Sequence, residues 1–191
     1  MAAPGPVGVS CNCGKVRGQV DVPSPGAGNH AICHCADCRA ATIHLGQPDP
    51  APDGVEIWQT TPDRLHLTEG HDLLALMQLS PKGLYRWYAS CCNTPLFNTL
   101  RKPRLAFVGV NVDRLDDAAP LGPVIARAFM KQADGKYRHE GFNRAGLRII
   151  QMMLAANLSG RWRQNPFFED TGAPVAKSRI LTREERAAAS A

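Results

Sequence analysis

The chain has no long apolar run: stretches such as Leu73 to Met77 are the length of a strand or one helical turn, far short of the ~20 residues of a bilayer span. That excludes a helical membrane protein. No basic segment followed by an apolar stretch is seen after Met1, so no secretory signal is visible and a cytoplasmic location is expected. A repeat of fixed period is also lacking. So are the His-x-Glu and Pro-Cys-x-x-Cys strings that zinc deaminases need, which sets deaminase chemistry aside. Charged residues make up 20% and hydrophobic residues 44%, too apolar a balance for a disordered chain. With 191 residues, the chain suits one domain with a helical appendage and is short for two full domains.

What is present is cysteine, in three tight clusters: Cys11 and Cys13, then Cys33, Cys35 and Cys38, then Cys91 and Cys92. In a reducing compartment such clusters point to metal binding or chemistry rather than disulfides. Zn²⁺ takes about four thiolate or imidazole ligands, and ligands two or three residues apart on a turn converge without ordering a long loop. Four ligands from the first and third clusters would close a structural site. Cys33, Cys35 and Cys38 would leave one coordination position open to water or substrate. Scattered core thiols do not fall in this pattern. A redox pair at Cys35 and Cys38 lacks a βαβ setting and is crowded by Cys33.

The strings Ser10-Cys11-Asn12-Cys13-Gly14-Lys15-Val16-Arg17, Cys33-His34-Cys35-Ala36-Asp37-Cys38-Arg39 and Cys92-Asn93-Thr94-Pro95-Leu96-Phe97 resemble the glutathione-dependent formaldehyde-activating enzyme and centromere-protein-V family, in order and spacing. The resemblance covers roughly residues 9–112 and is nearest to a less-characterised branch with an adjacent cysteine pair and a C-terminal extension. It implies a mainly β fold, a β-tent of antiparallel sheets around zinc, with a structural ion on the first and third motifs and a catalytic ion on the middle one. It also implies reversible addition of a thiol such as glutathione to a small aldehyde, a carbon–sulfur lyase step.

One departure is at Ala89, where the family's third motif has its first cysteine; here Cys91 stands next to Cys92 instead. Neighbouring side chains on a strand point to opposite faces, so both reach one ion only if the backbone turns there. The alternative leaves Cys92 alone on a three-cysteine site with Cys91 facing elsewhere. Asp37 and Arg39, beside the middle triplet, are candidates for orienting ligands or holding an acidic substrate group. His34, between two ligands, is expected to point away from the ion.

Alternation predicts a strand over 14–22, a loop over 23–30, and a hairpin of 55–60 with 64–68 around Thr61-Pro62-Asp63. Short strands follow at 74–79, 83–89 and 105–110, so the first unit is an all-β domain over 9–112. The extension over 113–191 starts with a linker at 116–120, followed by an ambiguous stretch at 124–130. Leu147, Ile150, Leu154 and Leu158 recur at helical spacing, which predicts a helix over 144–158 that packs on the β domain or serves a dimer contact. Residues 159–180 read as loop. Thr182 caps a last short helix with Glu185 at the capping-box position, and the tail 187–191 frays.

Residues 101–191 hold sixteen Lys/Arg against nine Asp/Glu, so the net charge of +5 is carried by the extension. The basic residues are scattered without interleaved aromatics, a pattern of solvated surface rather than of a nucleic-acid platform. Two readings of function remain open. One is a zinc enzyme acting on a small-molecule thiol or aldehyde. The other is a zinc-stabilised module whose basic extension contacts a partner. An empty middle triplet acting as a redox sensor is a third.

Overall fold

Val7 and Val9 alternate with small or polar residues along β1 (Gly5–Ser10), as do Val20 and Val22 along β2 (Arg17–Val22), so each strand has one apolar face. In a computed structural model, which describes residues 5–189, β1 and β2 pair antiparallel. β5 (Leu65–Glu69) joins β2 to complete a three-stranded sheet.

A nine-stranded sheet faces it. The strands are β3 (Asn29–Cys33), β4 (Val55–Thr60), β6 (Leu74–Gln78), β7 (Tyr85–Ala89), β8 (Thr94–Thr99), β9 (Val108–Asn111), β10 (Ala126–Lys131), β11 (Tyr137–Glu140) and β12 (Ser178–Ile180). Their order is β11-β10-β3-β4-β9-β8-β7-β6-β12. Pairing is antiparallel except at β10 with β3 and at β12 with β6. The structure is thus mainly β with mixed sheets, and α1 (Ala36–His44), α2 (Phe142–Leu158) and α3 (Arg183–Ala188) complete it. No helix of the described residues is long and apolar enough to cross a membrane.

The main core fills the space between the sheets. Val7, Val9, Val20, Val22 and Leu65 come from the small sheet, and Trp58, Trp87, Leu96, Val108 and Val110 from the large one. Phe167 is fully buried there, with ring centroids 5.0 Å from Trp87 and 5.5 Å from Phe97. Trp87 Nε1 donates to Thr99 Oγ1 at 3.0 Å, so its one polar atom is satisfied inside the core.

Several sequence expectations are corrected. The predicted hairpin does not form: β4 pairs with β3 and β9, while β5 pairs with β2. Thr60, Thr61 and Pro62 are buried, and a single 3-10 turn at Pro62–Arg64 carries the chain from one sheet to the other. The loop expected to reach residue 30 ends earlier, because Asn29 and His30 already pair in β3. The expected strand at 105–110 starts at Val108, and Leu105 lies exposed in a turn. The linker at 116–120 is packed, with Pro120 and Leu121 buried and the Asp116 amide bonded to Gly8 O. The ambiguous stretch at 124–130 becomes β10, and the stretch read as loop over 159–180 supplies Phe167 and β12. β1, β3, α1, β8 and β11 were not foreseen. Of the tail expected to fray, Ala189 is buried, while residues 190 and 191, like residues 1–4, lie outside the described residues.

The helix predicted over 144–158 is α2, but its stripe does not pack inward. Leu147, Ile150, Leu154 and Leu158 are exposed, the last at 90%. The face toward the sheet carries Ala145 and Ala156, both buried, and small side chains let the helix come close. Asn29 Nδ2 donates to Ala145 O at 2.9 Å and Asn157 Nδ2 to Arg104 O at 2.8 Å, and these bonds tie the helix to the body.

Candidate metal centres

The end of β1 delivers Cys11, and a tight turn brings Cys13 back beside it: Gly14 N donates to Cys11 O at 2.9 Å and Cys11 N to Val16 O at 3.0 Å. Gly14 has φ +73°, a conformation glycine adopts without a Cβ penalty. On the other side, the chain leaves β7 at Ala89 and turns: Cys92 N donates to Ala89 O at 3.3 Å, and Asn93 takes φ +53° before β8 starts. That turn lets two adjacent cysteines face one point. Cys91 Sγ lies 3.3 Å from Cys13 Sγ, 3.9 Å from Cys11 Sγ and 3.8 Å from Cys92 Sγ. All four sulfurs lie within 4.8 Å of one another. Cys91 therefore faces the group, and the alternative in which it points elsewhere does not match the geometry. Ala89 is fully buried in the core.

The thiols of this group are strongly unequal. Burial and the neighbouring sulfurs of Cys13, Cys92 and Cys11 push Cys91 up to about 12. Burial also acts to raise Cys92, but hydrogen bonds from the Thr94 hydroxyl and the Cys13 amide and thiol bring it down to about 6. Four sulfurs this close cannot all ionise against one another unless a cation sits among them. The donor set is that of a closed thiolate site, and it could hold a metal ion.

The second group stands where β3 runs into α1. Cys33 ends the strand, Cys35 is the helix N-cap with its Sγ accepting from Cys38 N at 3.3 Å, and Cys38 lies in the first turn. Cys38 Sγ is 3.5 Å from Cys33 Sγ, and the three sulfurs lie within 4.8 Å of one another. This group too could hold a metal ion. Hydrogen bonds from the Cys33 and Cys35 thiols, with the Arg86 guanidinium, hold Cys38 well below the usual thiol range, while hydrogen bonding to Cys35 and Cys38 and burial push Cys33 up.

Arg86, only 7% exposed, reaches this group from β7: Nη1 donates to Asn98 Oδ1 at 3.3 Å and approaches Cys38 Sγ at 3.9 Å. Sequence reasoning missed it. The available signal was a cation inside the apolar stretch Tyr85-Arg86-Trp87-Tyr88, which has to find a negative partner if buried. Thr94, which bonds Cys92 Sγ at 3.0 Å and accepts from Asn12 N at 3.1 Å, was also missed as a support of the first group. Asp37 and Arg39 have protein partners: Asp37 Oδ1 pairs with Arg186 Nη2 at 2.7 Å, and Arg39 Nη2 with Asp49 Oδ2 at 2.7 Å. Both pairs brace α1, one to α3 and one to the loop that follows α1. His34 lies outside the sulfur group, and its buried Nε2 has no partner among the described residues.

No curated protein matches the chain. Among solved structures, a Rhodobacter sphaeroides protein is similar at 20% identity, with a TM-score of 0.44 over 61% of this chain and 96% of that one. Residues 4–179 match a family of unknown function (DUF6151), and the chain, with its two cysteine groups, belongs to that family.

Proposed function

We propose that the protein is a two-zinc carbon–sulfur lyase of β-tent type, with a structural ion on Cys11, Cys13, Cys91 and Cys92 and a reactive ion on Cys33, Cys35 and Cys38. The observation that carries the reading is the difference between the two groups. One offers four sulfurs, whereas the other offers three and lines a cavity of about 360 Å³. The likeness of the cysteine motifs to the formaldehyde-activating family supports the reaction class. A zinc ion with an open position would supply a place where an incoming thiol is held as thiolate.

In the reaction, a sulfur lone pair forms the bond to the aldehyde carbon, the carbonyl π pair moves to oxygen, and oxygen takes up the proton that the thiol gave up. The chain's own residues set the stage for it. Cys35 caps α1 and so fixes the first turn, which places Cys38 at a helix N-terminus where negative charge is favoured. Arg86 adds a buried positive charge beside Cys38. Asp37 with Arg186 holds the helix in place from the other side.

Elemental analysis of the protein purified without added metal tests this reading. Two zinc ions per wild-type chain, falling to one in a folded Cys33→Ser/Cys35→Ser/Cys38→Ser variant with loss of thiol–aldehyde turnover, is the expected result. One ion, unchanged in the variant, would sink the reading. A second reading, a zinc-stabilised module that binds a partner, draws on the exposed stripe of Leu147, Ile150, Leu154 and Leu158 on α2. It predicts two tightly held ions and no turnover.

A further inference from the structure

The cavity at the three-cysteine group lies between the nine-stranded sheet and α2. Its volume, about 360 Å³, falls within the ~300–1,000 Å³ of small-molecule sites. Cys33, Cys35 and Cys38 all contribute to its wall, with Arg86 and Asn98 near them, and most of the remaining wall is apolar, including Ile57, Phe107, Phe129, Phe142 and Ile149.

Two features set this space apart from a packing fault. The first is where bulk is withheld. Gly146 is in the interior of α2, a position where glycine weakens a helix, yet a Cβ built there meets nothing within 4 Å. A larger residue would fit and would strengthen the helix, at the expense of the cavity that Gly146 lines. The second is Phe129, a bulky residue at φ +62°, where β10 shifts register between Arg127 and Met130. Such strain persists only where the surroundings fix it, and it clusters at binding sites. Here the surroundings are rings: the centroids of His139, Phe142 and Tyr137 lie 4.9, 6.1 and 6.2 Å from that of Phe129. The Phe129 ring so held forms part of the cavity wall.

We infer that this cavity binds the carbonyl substrate and selects an apolar aldehyde, aromatic or branched, over a small hydrated one. The inference deepens the thiol–aldehyde reading and rests on it. An aldehyde of one or two carbons would leave most of the apolar wall without contacts. A hydrocarbon body against Phe107, Phe129, Phe142 and Ile149 removes apolar surface from water, and its carbonyl then lies by the sulfurs and Arg86. A charged tripeptide thiol does not suit the same space, because its carboxylates would lose water and meet one guanidinium already bonded to Asn98. A separate cavity of about 360 Å³, also lined by Cys33 and Cys35, has His34 and Lys131 beside Pro50, Ala51, Pro52 and Met130, with Arg39 paired to Asp49, and is a second space from which the thiol can reach the sulfurs.

The test uses the full chain and 4-methylbenzyl alcohol, an unreactive stand-in for an aromatic aldehyde, with binding read by calorimetry and saturation-transfer NMR. Gly146→Met and Ile149→Trp narrow the cavity from successive turns of α2, and Gln151→Ala on its exposed face is the control. The alcohol is expected to bind wild type and Gln151→Ala alike, and to lose roughly tenfold or more in affinity in the two narrowed variants, with the melting temperature of Gly146→Met not lowered. With glutathione as thiol, benzaldehyde is expected to exceed formaldehyde in kcat/KM, and Gly146→Met to reverse that order. No binding by folded wild type, or equal binding in both narrowed variants, overturns the inference. Binding that the narrowed variants abolish, without turnover of any aldehyde, keeps the apolar site and ends the thiol–aldehyde reading. Turnover of formaldehyde without binding of the alcohol does the reverse.

Discussion

At the scale of single residues, the adjacent pair Cys91-Cys92 shows how a departure from a motif is absorbed. The turn after Ala89, with Asn93 at positive φ, rotates Cys91 onto the point that Cys11 and Cys13 share. With zinc on this group as proposed, Cys91→Ser should speed metal loss to a chelator and lower the melting temperature, since a structural zinc contributes on the order of 10–16 kcal/mol of apparent binding energy. Adding Ala89→Cys should not rescue it, because position 89 is fully buried in the core. Rescue would mean that the turn can shift. The cysteines were legible in the sequence because chelation is local: ligands two or three residues apart announce themselves. Arg86 and Phe167 were not, because their partners lie far along the sequence, Cys38 for Arg86 and Trp87 and Phe97 for Phe167. Phe167 follows Asn165-Pro166 in a stretch that reads as loop, yet it is sealed between Trp87 and Phe97. Phe167→Ala should cost about 3–5 kcal/mol in chemical denaturation.

At the scale of elements, the start of the last helix was foreseen, though not its end at Ala188. Thr182 Oγ1 accepts from Glu185 N at 3.2 Å, and Glu185 Oε2 accepts from Thr182 N at 2.9 Å. Thr182→Ala should cost about 1 kcal/mol, with the loss concentrated in the amide-exchange protection of α3. Its pH dependence has a definite sign. The Thr182 amide, and then Arg179, hold the Glu185 carboxylate below its ordinary value. The stabilisation is thus present above the ordinary carboxylate range, about 4.3, and is lost as pH falls through the lower folded value. Protection of α3 should fall below about pH 4 in wild type, and Glu185→Gln should shrink that step to the part due to Glu184, whose carboxylate its own amide and the Thr182 hydroxyl also hold low. Capping is written in four residues, which is why it could be read. The hairpin could not: Thr61-Pro62-Asp63 marks a turn, but nothing in a turn says that the next strand joins another sheet. For α2 the period gave the helix, while its inward face stayed hidden, because close approach to the sheet is made by alanines rather than by leucines.

At the scale of the whole molecule, the division at residue 113 is chemically visible but mechanically incomplete. The second part supplies β10 and β11 at one side of the large sheet, β12 at the other, and Phe167 in the middle of the core. A fragment ending at Val112 should give no cooperative thermal transition, even with zinc present, whereas the full chain should give one. A cooperative transition in the fragment would show that the first three motifs and their strands suffice.

The parallel seating of β12 on β6 has a further consequence for synthesis. β6, with the sequence Leu-Ala-Leu-Met-Gln, borders the sheet until Ser178–Ile180 arrive to lie along it. At about 5–20 residues per second, the ribosome takes roughly 5–20 s to make the hundred residues between them. During that interval an apolar strand with unpaired backbone groups faces solvent, which is the surface holdase chaperones recognise and nascent neighbours can copy. The last strand is therefore a closing stitch. Its delay, more than the strength of the finished core, should set how much of the newly made protein stays soluble when translation is slowed or the chain is cut short.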